Sequence, residues 1–387
     1  MSPLLMRGFV LGVCTVGLML MGGAGRVWAG GGDAHSRAKL LRGCGSCHVG
    51  HGKSRTKMLP DTEESFCFRC HGSAERRAKE IRDGRLANSV SLRDVSRDFR
   101  LPFRHPVGRT FGVHRKGEVL PERNARTRRH VECADCHKPH RTVRLRRTRN
   151  MTRRSPLDGR SAEYELCYRC HSDSANLPRN ATNVRLAMSA RNASYHPVEF
   201  AGPKGAYAPS LRAPLTVGSL ISCGDCHGND TGRGMHGSRY PFILRLHYGS
   251  SPRTPESPQA YALCYKCHDR QRLFAGRGFS KHALHVQKHN ISCAVCHVAH
   301  GSPTNRHLIR FSPSATAAAS DPKTRLRELL YADMGRGAGQ CSVSCHAWGV
   351  NHFRVNYCEG RGPCTTTTKM RTQPLRQRRR RGSPFSF

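Results

Sequence analysis

Eight cysteine pairs, each followed at once by a histidine, constrain this chain more than any other feature, and they hold sixteen of its 19 cysteines. Seven pairs have the spacing CxxCH, and the eighth has one extra residue, CxxxCH. The cysteines are Cys44 and Cys47, Cys67 and Cys70, Cys133 and Cys136, Cys167 and Cys170, Cys223 and Cys226, Cys264 and Cys267, Cys293 and Cys296, and Cys341 and Cys345. The histidines that follow them are His48, His71, His137, His171, His227, His268, His297 and His346.

CxxCH is the attachment signature of c-type haem. Two thiols at this spacing reach the two vinyl groups on one edge of a porphyrin, and the next histidine reaches the iron. Zinc is the competing interpretation because CxxC pairs also build zinc ribbons, but zinc sites do not require a histidine after every pair. The motifs therefore favour covalent haem c, and we expect eight haems. The CxxxCH motif gives the weakest indication of haem attachment, because the loop between its cysteines is one residue longer.

The composition agrees with an interior filled by cofactor. Hydrophobic residues make up 37% of the 387 residues, whereas soluble domains usually reach about 45–50%. The composition therefore argues against a large core of apolar side chains, and porphyrins must supply much of the apolar contact. We predict an elongated multihaem cytochrome c array, mostly irregular with short α-helices and little β-sheet, and with a core formed by haems.

The motifs alternate between two kinds, which groups them into four two-haem units. Odd-numbered motifs have small or polar residues between their cysteines, whereas three even-numbered motifs carry an aromatic residue there and follow a helix-start signal. The aromatic residue is expected to pack on porphyrin. The units span 30–125, 126–215, 216–288 and 289–360. Such repeats predict an array in which each unit packs on its neighbours.

This arrangement resembles the doubled-CXXCH family of multihaem cytochromes c over roughly residues 44–352. The paired pattern CxxCHxxH…LCYxCH carries the resemblance, whereas the CxxxCH motif and the basic tail depart from it. The resemblance implies a periplasmic electron relay or a longer cytochrome that carries electrons towards the outer membrane.

The second axial ligand of each iron separates electron transfer from substrate chemistry, because a second histidine closes the site. The repeat offers one further histidine for each motif. They are His51, His140, His236 and His300 after odd motifs, and His105, His196, His282 and His352 after even motifs. His236 is included because Met235-His236-Gly237-Ser238 matches Ala299-His300-Gly301-Ser302.

Some axial assignments stay open. His285 and His289 compete with His282, and Met235 is the one methionine rival. A histidine three residues after a motif histidine cannot reach the far face of the same ring, so we expect these ligands to cross to neighbouring haems. The other histidines are expected to be solvated or to lie at haem edges: His35, His114, His130, His247 and His307.

Residues 1–29 have the pattern of a secretory signal peptide, with Arg7, an apolar run and a cleavage site after Ala29. An uncleaved anchor is the alternative. We expect an exported protein, most simply periplasmic, with outer-membrane-associated or extracellular placement as alternatives.

The formal net charge of +39 indicates acidic or anionic partners. Arginines cluster between Arg141 and Arg154 and in a tail, 361–387, that we predict to be disordered. We expect redox protein donors and acceptors, an anionic lipid surface or an outer-membrane porin, and no nucleic acid because the protein is exported. Cys358 and Cys364 lack a following histidine and form either a disulfide or free thiols.

The sequence favours an octahaem electron carrier of extracytoplasmic respiration, with haem ligands and no catalytic residue. The main alternative is a multihaem reductase or oxidase with one open coordination position, for which the CxxxCH haem is the irregular candidate. A zinc-binding nucleic-acid module is the third interpretation.

Overall fold

A computed structural model describes residues 35–50, 58–108, 131–141, 163–172, 177, 181–312, 329–335, 338–343 and 354–357. The signal-peptide region, residues 142–154 and the tail lie outside these residues. In the described part the backbone is mostly irregular, with short helices and little sheet. This confirms the predicted fold class at that level.

The helices lie mainly at or beside the cysteine motifs. The α-helices are α1 Glu63–His71, α2 Ala74–Arg82, α3 Cys133–Cys136, α4 Glu163–His171, α5 Val184–Ala187, α6 Cys223–Cys226, α7 Ala262–Tyr265, α8 Arg270–Phe274 and α9 Cys293–Cys296. Short 3-10 turns cover Gly43–Ser46, Asp98–Arg100, Pro139–Arg141 and Pro241–Ile243, and a π-helical turn covers Ala283–Lys288. Among the described helices, none has the length and apolar character needed to span a bilayer.

A single helical turn spans the cysteine pair in α3, α6 and α9. In α3 the N–H of His137 donates to the carbonyl of Cys133 at 2.8 Å. A capping box of Glu132 and Asp135 closes the start of that turn. Because residues three apart share one face of a helix, the two thiols of such a pair face the same way.

The even-numbered motifs end longer helices in two of three cases. Helices α1 and α4 both run through the motif and end at its histidine, as predicted. Helix α7 instead ends before its second cysteine. The N–H of Arg212 donates to the Cys267 carbonyl at 2.9 Å, and Leu211 bridges His268. This pairing draws the third even motif out of the helix.

Two short antiparallel ribbons join units that are not neighbours in sequence. Strand β1 (Phe103–Arg104) pairs with β3 (Gly237–Ser238), and β2 (Ser194–Tyr195) pairs with β4 (Gly301–Ser302). A Cβ on Gly237 would collide with the carbonyl oxygen of Asp98, and one on Gly301 with that of Ala187. The ribbons therefore tie unit one to unit three and unit two to unit four through close backbone contact.

A three-stranded antiparallel sheet is the main departure from expectation. It is formed by β5 (Leu329–Gly335), β6 (Ala338–Val343) and β7 (Arg354–Tyr357). Cys341, the first cysteine of the CxxxCH motif, lies on β6 between Tyr331 and Val355. The prediction of short helices fails at this motif. Pairing on both sides holds the backbone around Cys341 extended, so a helical turn cannot form there.

The core of apolar side chains is small. Twelve hydrophobic residues are buried in the described part of the chain. One cluster joins three of them, Tyr261, Tyr265 and Val286. Side chains alone therefore leave most of the interior without apolar packing.

Replacing Gly301 with Ala should destabilise the protein by about 1–3 kcal/mol because the added methyl group overpacks the ribbon against Ala187. Urea unfolding of the haem-loaded protein should show an earlier transition. Gly218→Ala is the matched control because its nearest neighbour would be 3.8 Å away. Equal transitions for the two variants would contradict this role of Gly301.

Candidate functional site

Six motif histidines face a second histidine ring at the separation of two ligands on one metal ion. A bond of about 2 Å from each nitrogen to the metal puts the two ring centroids about 6 Å apart. The pairs are His48–His140 at 5.9 Å, His71–His35 at 6.1 Å, His137–His236 at 6.1 Å, His171–His105 at 6.4 Å, His227–His300 at 6.1 Å and His297–His282 at 6.3 Å.

The motif histidine of the sixth motif, His268, lies near His196 and His297. Burial, together with the charges of these two histidines, lowers the pKa of His268 to about 4. By the repeat, His196 is the counterpart of His105. Six of the seven motif histidines in the described residues therefore face a partner histidine, and the repeat assigns His196 to the seventh.

The partners follow two opposite registers. His140, His236 and His300 follow motifs three, five and seven, and they face the histidines of motifs one, three and five. His105 follows motif two and faces the histidine of motif four. One set of ligands thus points two motifs back along the chain, and the other set points two motifs forward.

A backward and a forward histidine meet in three equivalent places, which we call crossed pairs: His35 with His140, His105 with His236, and His196 with His300. In each, Nδ1 of the forward histidine lies against the carbonyl of the residue before the backward one. These carbonyls belong to Pro139 at 2.7 Å, Met235 at 2.7 Å, and Ala299.

These hydrogen bonds fix how the rings can bind a metal. A carbonyl only accepts, so Nδ1 carries the proton and Nε2 keeps its lone pair. Two motif histidines are held in the same way, His227 by the carbonyl of Phe242 at 2.8 Å and His297 by that of His307 at 2.9 Å. The backbone carbonyls around these rings therefore leave Nε2 as the atom that can bind a metal.

The protonation states also suit metal binding. Burial lowers the pKa of His71, His137 and His300 to about 4 and that of His282 to about 3. At neutral pH these imidazoles are neutral, which is the form that binds a metal.

The cysteines approach one another along the array. The thiol of Cys67 raises the pKa of Cys133, and the thiol of Cys223 raises that of Cys167, so the two thiols of each pair lie near each other. Each contact joins an even motif to the odd motif of the next unit. The fifteen motif cysteines in the described residues are free thiols. Attachment points of units one and two, and of units two and three, therefore lie side by side.

The space between these ligands is large and continuous. One cavity of about 2680 Å³ is lined by motifs four to seven and also by Tyr331 and Cys341. Ordinary ligand pockets measure about 300–1,000 Å³, so this cavity has room for several large flat cofactors in contact. Paired imidazoles, adjacent thiols and cavity volume together fit haem c at the seven CxxCH motifs.

Two repeated segments share more than a sequence match. His227 bridges Leu244 and His297 bridges Ile309, and the hydroxyls of Ser238 and Ser302 donate to the carbonyls of those two residues. His236 and His300 thus stand at equivalent points of one local structure.

The structure favours His282 over its competitors, because its ring faces that of His297. The Nδ1 of His285 lies 2.9 Å from the carbonyl of Lys281, one turn earlier in the chain. His51, Cys345, His346 and His352 lie outside the described residues.

His35 was missed by the sequence reasoning, which left it among the solvated or haem-edge histidines. It occupies the position of His105 and His196 in the first crossed pair. No proline follows it, so the local pattern gives no signal. The register gives that signal. A forward ligand lies two motifs before its haem site, so the forward ligand for motif two must precede motif one.

Comparison with known proteins supports the haem interpretation. Residues 38–76, 127–176 and 213–273 match the family model for the doubled CXXCH motif. These matches confirm the resemblance stated above and cover motifs one to six. They support a multihaem c-type cytochrome with covalently bound haem that acts in electron transfer. No curated protein and no solved structure matches the chain.

Replacing His35 with Ala should remove one axial ligand from motif two. The oxidised, haem-loaded protein should then show a new high-spin ferric signal by electron paramagnetic resonance (EPR). His247→Ala is the control, because His247 is exposed and its Nδ1 bonds to the Ala260 carbonyl at 3.0 Å. A wholly low-spin spectrum for the His35 variant would remove His35 from the ligand set.

Proposed function

We propose that this chain is an octahaem c-type cytochrome that transfers electrons along a row of bis-histidine haems outside the cytoplasm. The observation that carries the proposal is the set of paired histidine rings about 6 Å apart, each joining a motif to a ligand from elsewhere in the chain. A site closed by two histidines suits electron transfer, because no coordination position is left for substrate.

The chain's own residues hold and orient the cofactors. Haem iron supplies a one-electron couple between its ferric and ferrous states. The cysteine pairs retain each haem covalently, so no deep pocket is needed. The crossed pairs fix the imidazole planes through backbone carbonyls. Each crossed pair serves one odd and one even motif, so two binding sites are positioned by a single contact.

The closeness of successive attachment points supports transfer from one unit to the next. The contacts Cys67–Cys133 and Cys167–Cys223 bridge successive units, and the large cavity runs through motifs four to seven. Cys341 lines the same cavity, which supports an eighth haem next to the others.

Export and partners follow from the sequence. Residues 1–29 support export to the periplasm, where c-type haem is attached, and extracytoplasmic respiration is the setting proposed here. The net charge of +39 supports acidic redox donors and acceptors or an anionic lipid surface. An outer-membrane porin is a further proposed partner.

A pyridine haemochrome assay tests the proposal directly. Protein matured in a host competent for c-type haem attachment should contain eight haems per chain, and its oxidised EPR spectrum should be low-spin throughout. Replacing both cysteines of one motif, Cys293 and Cys296, by Ser should lower the count by one. Two or fewer haems in the unmodified protein would refute the proposal.

An enzymatic function is the second candidate, and two features of the eighth motif favour it. Cys341 lies on a strand, whereas the other motifs lie in or beside helical turns. The forward register would assign His282 to motif eight, but the ring of His282 faces His297 of motif seven. The CxxxCH haem is thus the site where an open coordination position for a reductase or oxidase is expected.

The same EPR spectrum separates the two functions. A high-spin ferric signal in the unmodified protein, lost when Cys341 and Cys345 are replaced by Ser, would favour the enzyme. Retention of that signal in the double variant would place the open position elsewhere in the array.

A further inference from the structure

His236, the backward histidine of the second crossed pair, faces a carboxylate. Its Nδ1 lies 3.4 Å from Oδ2 of Asp98. Five other ligand histidines place Nδ1 against backbone carbonyls instead: His35, His105, His196, His227 and His297.

Asp98 is held firmly behind that ring. It is 3% exposed, and its other oxygen, Oδ1, accepts from a guanidinium nitrogen of Arg93 at 2.5 Å. Arg93 also donates to the carbonyl of Arg233 at 2.9 Å. Phe99 packs on His236 with ring centroids 5.1 Å apart. The buried carboxylate therefore meets a half-buried imidazole, where its field is screened less than it would be in water.

The ribbon formed by β2 and β4 has no carboxylate at the position that corresponds to Asp98. The backbone carbonyl of Asp98 packs against Gly237, and that of Ala187 packs against Gly301 in the same way. Ala187 has no side chain that accepts a hydrogen bond. The carboxylate is thus a feature added to one crossed pair and not a requirement of the ribbon.

We propose that Asp98 is a positioning residue that lowers the reduction potential of the haem held by Cys133, Cys136 and His137. The inference rests on the proposed function, in which His236 is the second ligand of that haem. A carboxylate that accepts the outer N–H makes the imidazole a stronger donor, and this favours ferric over ferrous iron. Arg93 offsets part of the negative charge. Asp98 thereby makes the potentials along the row unequal.

Spectroelectrochemical titration of the haem-loaded protein tests this. Asp98→Asn keeps the shape of the side chain and removes its charge. One midpoint should rise by the equivalent of about a tenfold change in the ratio of oxidised to reduced haem, about 59 mV. Arg93→Gln should shift the same midpoint downwards, because the carboxylate then faces His236 uncompensated.

Asp94→Asn is the matched control. Asp94 accepts from the Ser96 hydroxyl at 2.6 Å and pairs with Arg97 at 3.2 Å, so it acts within its own loop. All midpoints should stay in place in this variant. EPR of the oxidised Asp98→Asn protein should show one altered low-spin signal, which identifies a change at an axial ligand.

The haem count separates this inference from the proposed function. An unmodified protein without haem overturns both. With the full haem count, unchanged midpoints in Asp98→Asn, or an upward shift in Arg93→Gln, overturn the role of Asp98 alone. If the Asp98→Asn protein loses haem, the Arg93→Gln protein tests the role of Asp98 in its place. A downward shift of the midpoint then supports that role, and an upward shift overturns it.

Discussion

The hydrogen bond from a histidine Nδ1 to the carbonyl before another histidine is the contact on which the array depends. It orients two imidazoles at once, and it joins segments from different units. His105 and Met235, for example, are 130 positions apart. Few apolar side chains are buried between the units, so ligand contacts and short ribbons take the place of ordinary side-chain packing. The close approach at Gly237 and Gly301 is the steric condition for this geometry.

Crossed ligation explains how a chain with a small core can adopt one arrangement. Each motif holds its cofactor through two thioethers, a local contact that alone would leave units free to move. Partner histidines from other units, such as His105 facing His171 and His236 facing His137, turn sites into links between units. The links run both ways along the chain, so removing one ligand weakens two units without releasing the cofactor. Stability and function are then carried by the same residues.

Sequence spacing predicted local structure well and long-range pairing less well. The helical turns at the cysteine pairs, the helix ends at the second and fourth motifs and the match between the segments of His236 and His300 all follow from local pattern. The role of His35 does not follow from local pattern, because His35 precedes motif one and its partner is motif two. The early end of α7 depends on pairing with Leu211 and Arg212, which no spacing reveals. The carboxylate behind His236 likewise comes from a loop more than 100 residues away.

The two registers also determine where the array becomes irregular. At the N-terminal end, the forward ligand for motif two has no preceding motif to follow, and His35 fills that place. At the other end, the backward ligand for motif seven would have to follow a ninth motif, which the sequence lacks. His282 faces motif seven instead of motif eight, to which the forward register would assign it. The extra residue in CxxxCH and the strand that carries Cys341 occur at this same end. The irregular features of the eighth motif therefore coincide with the place where the forward register breaks.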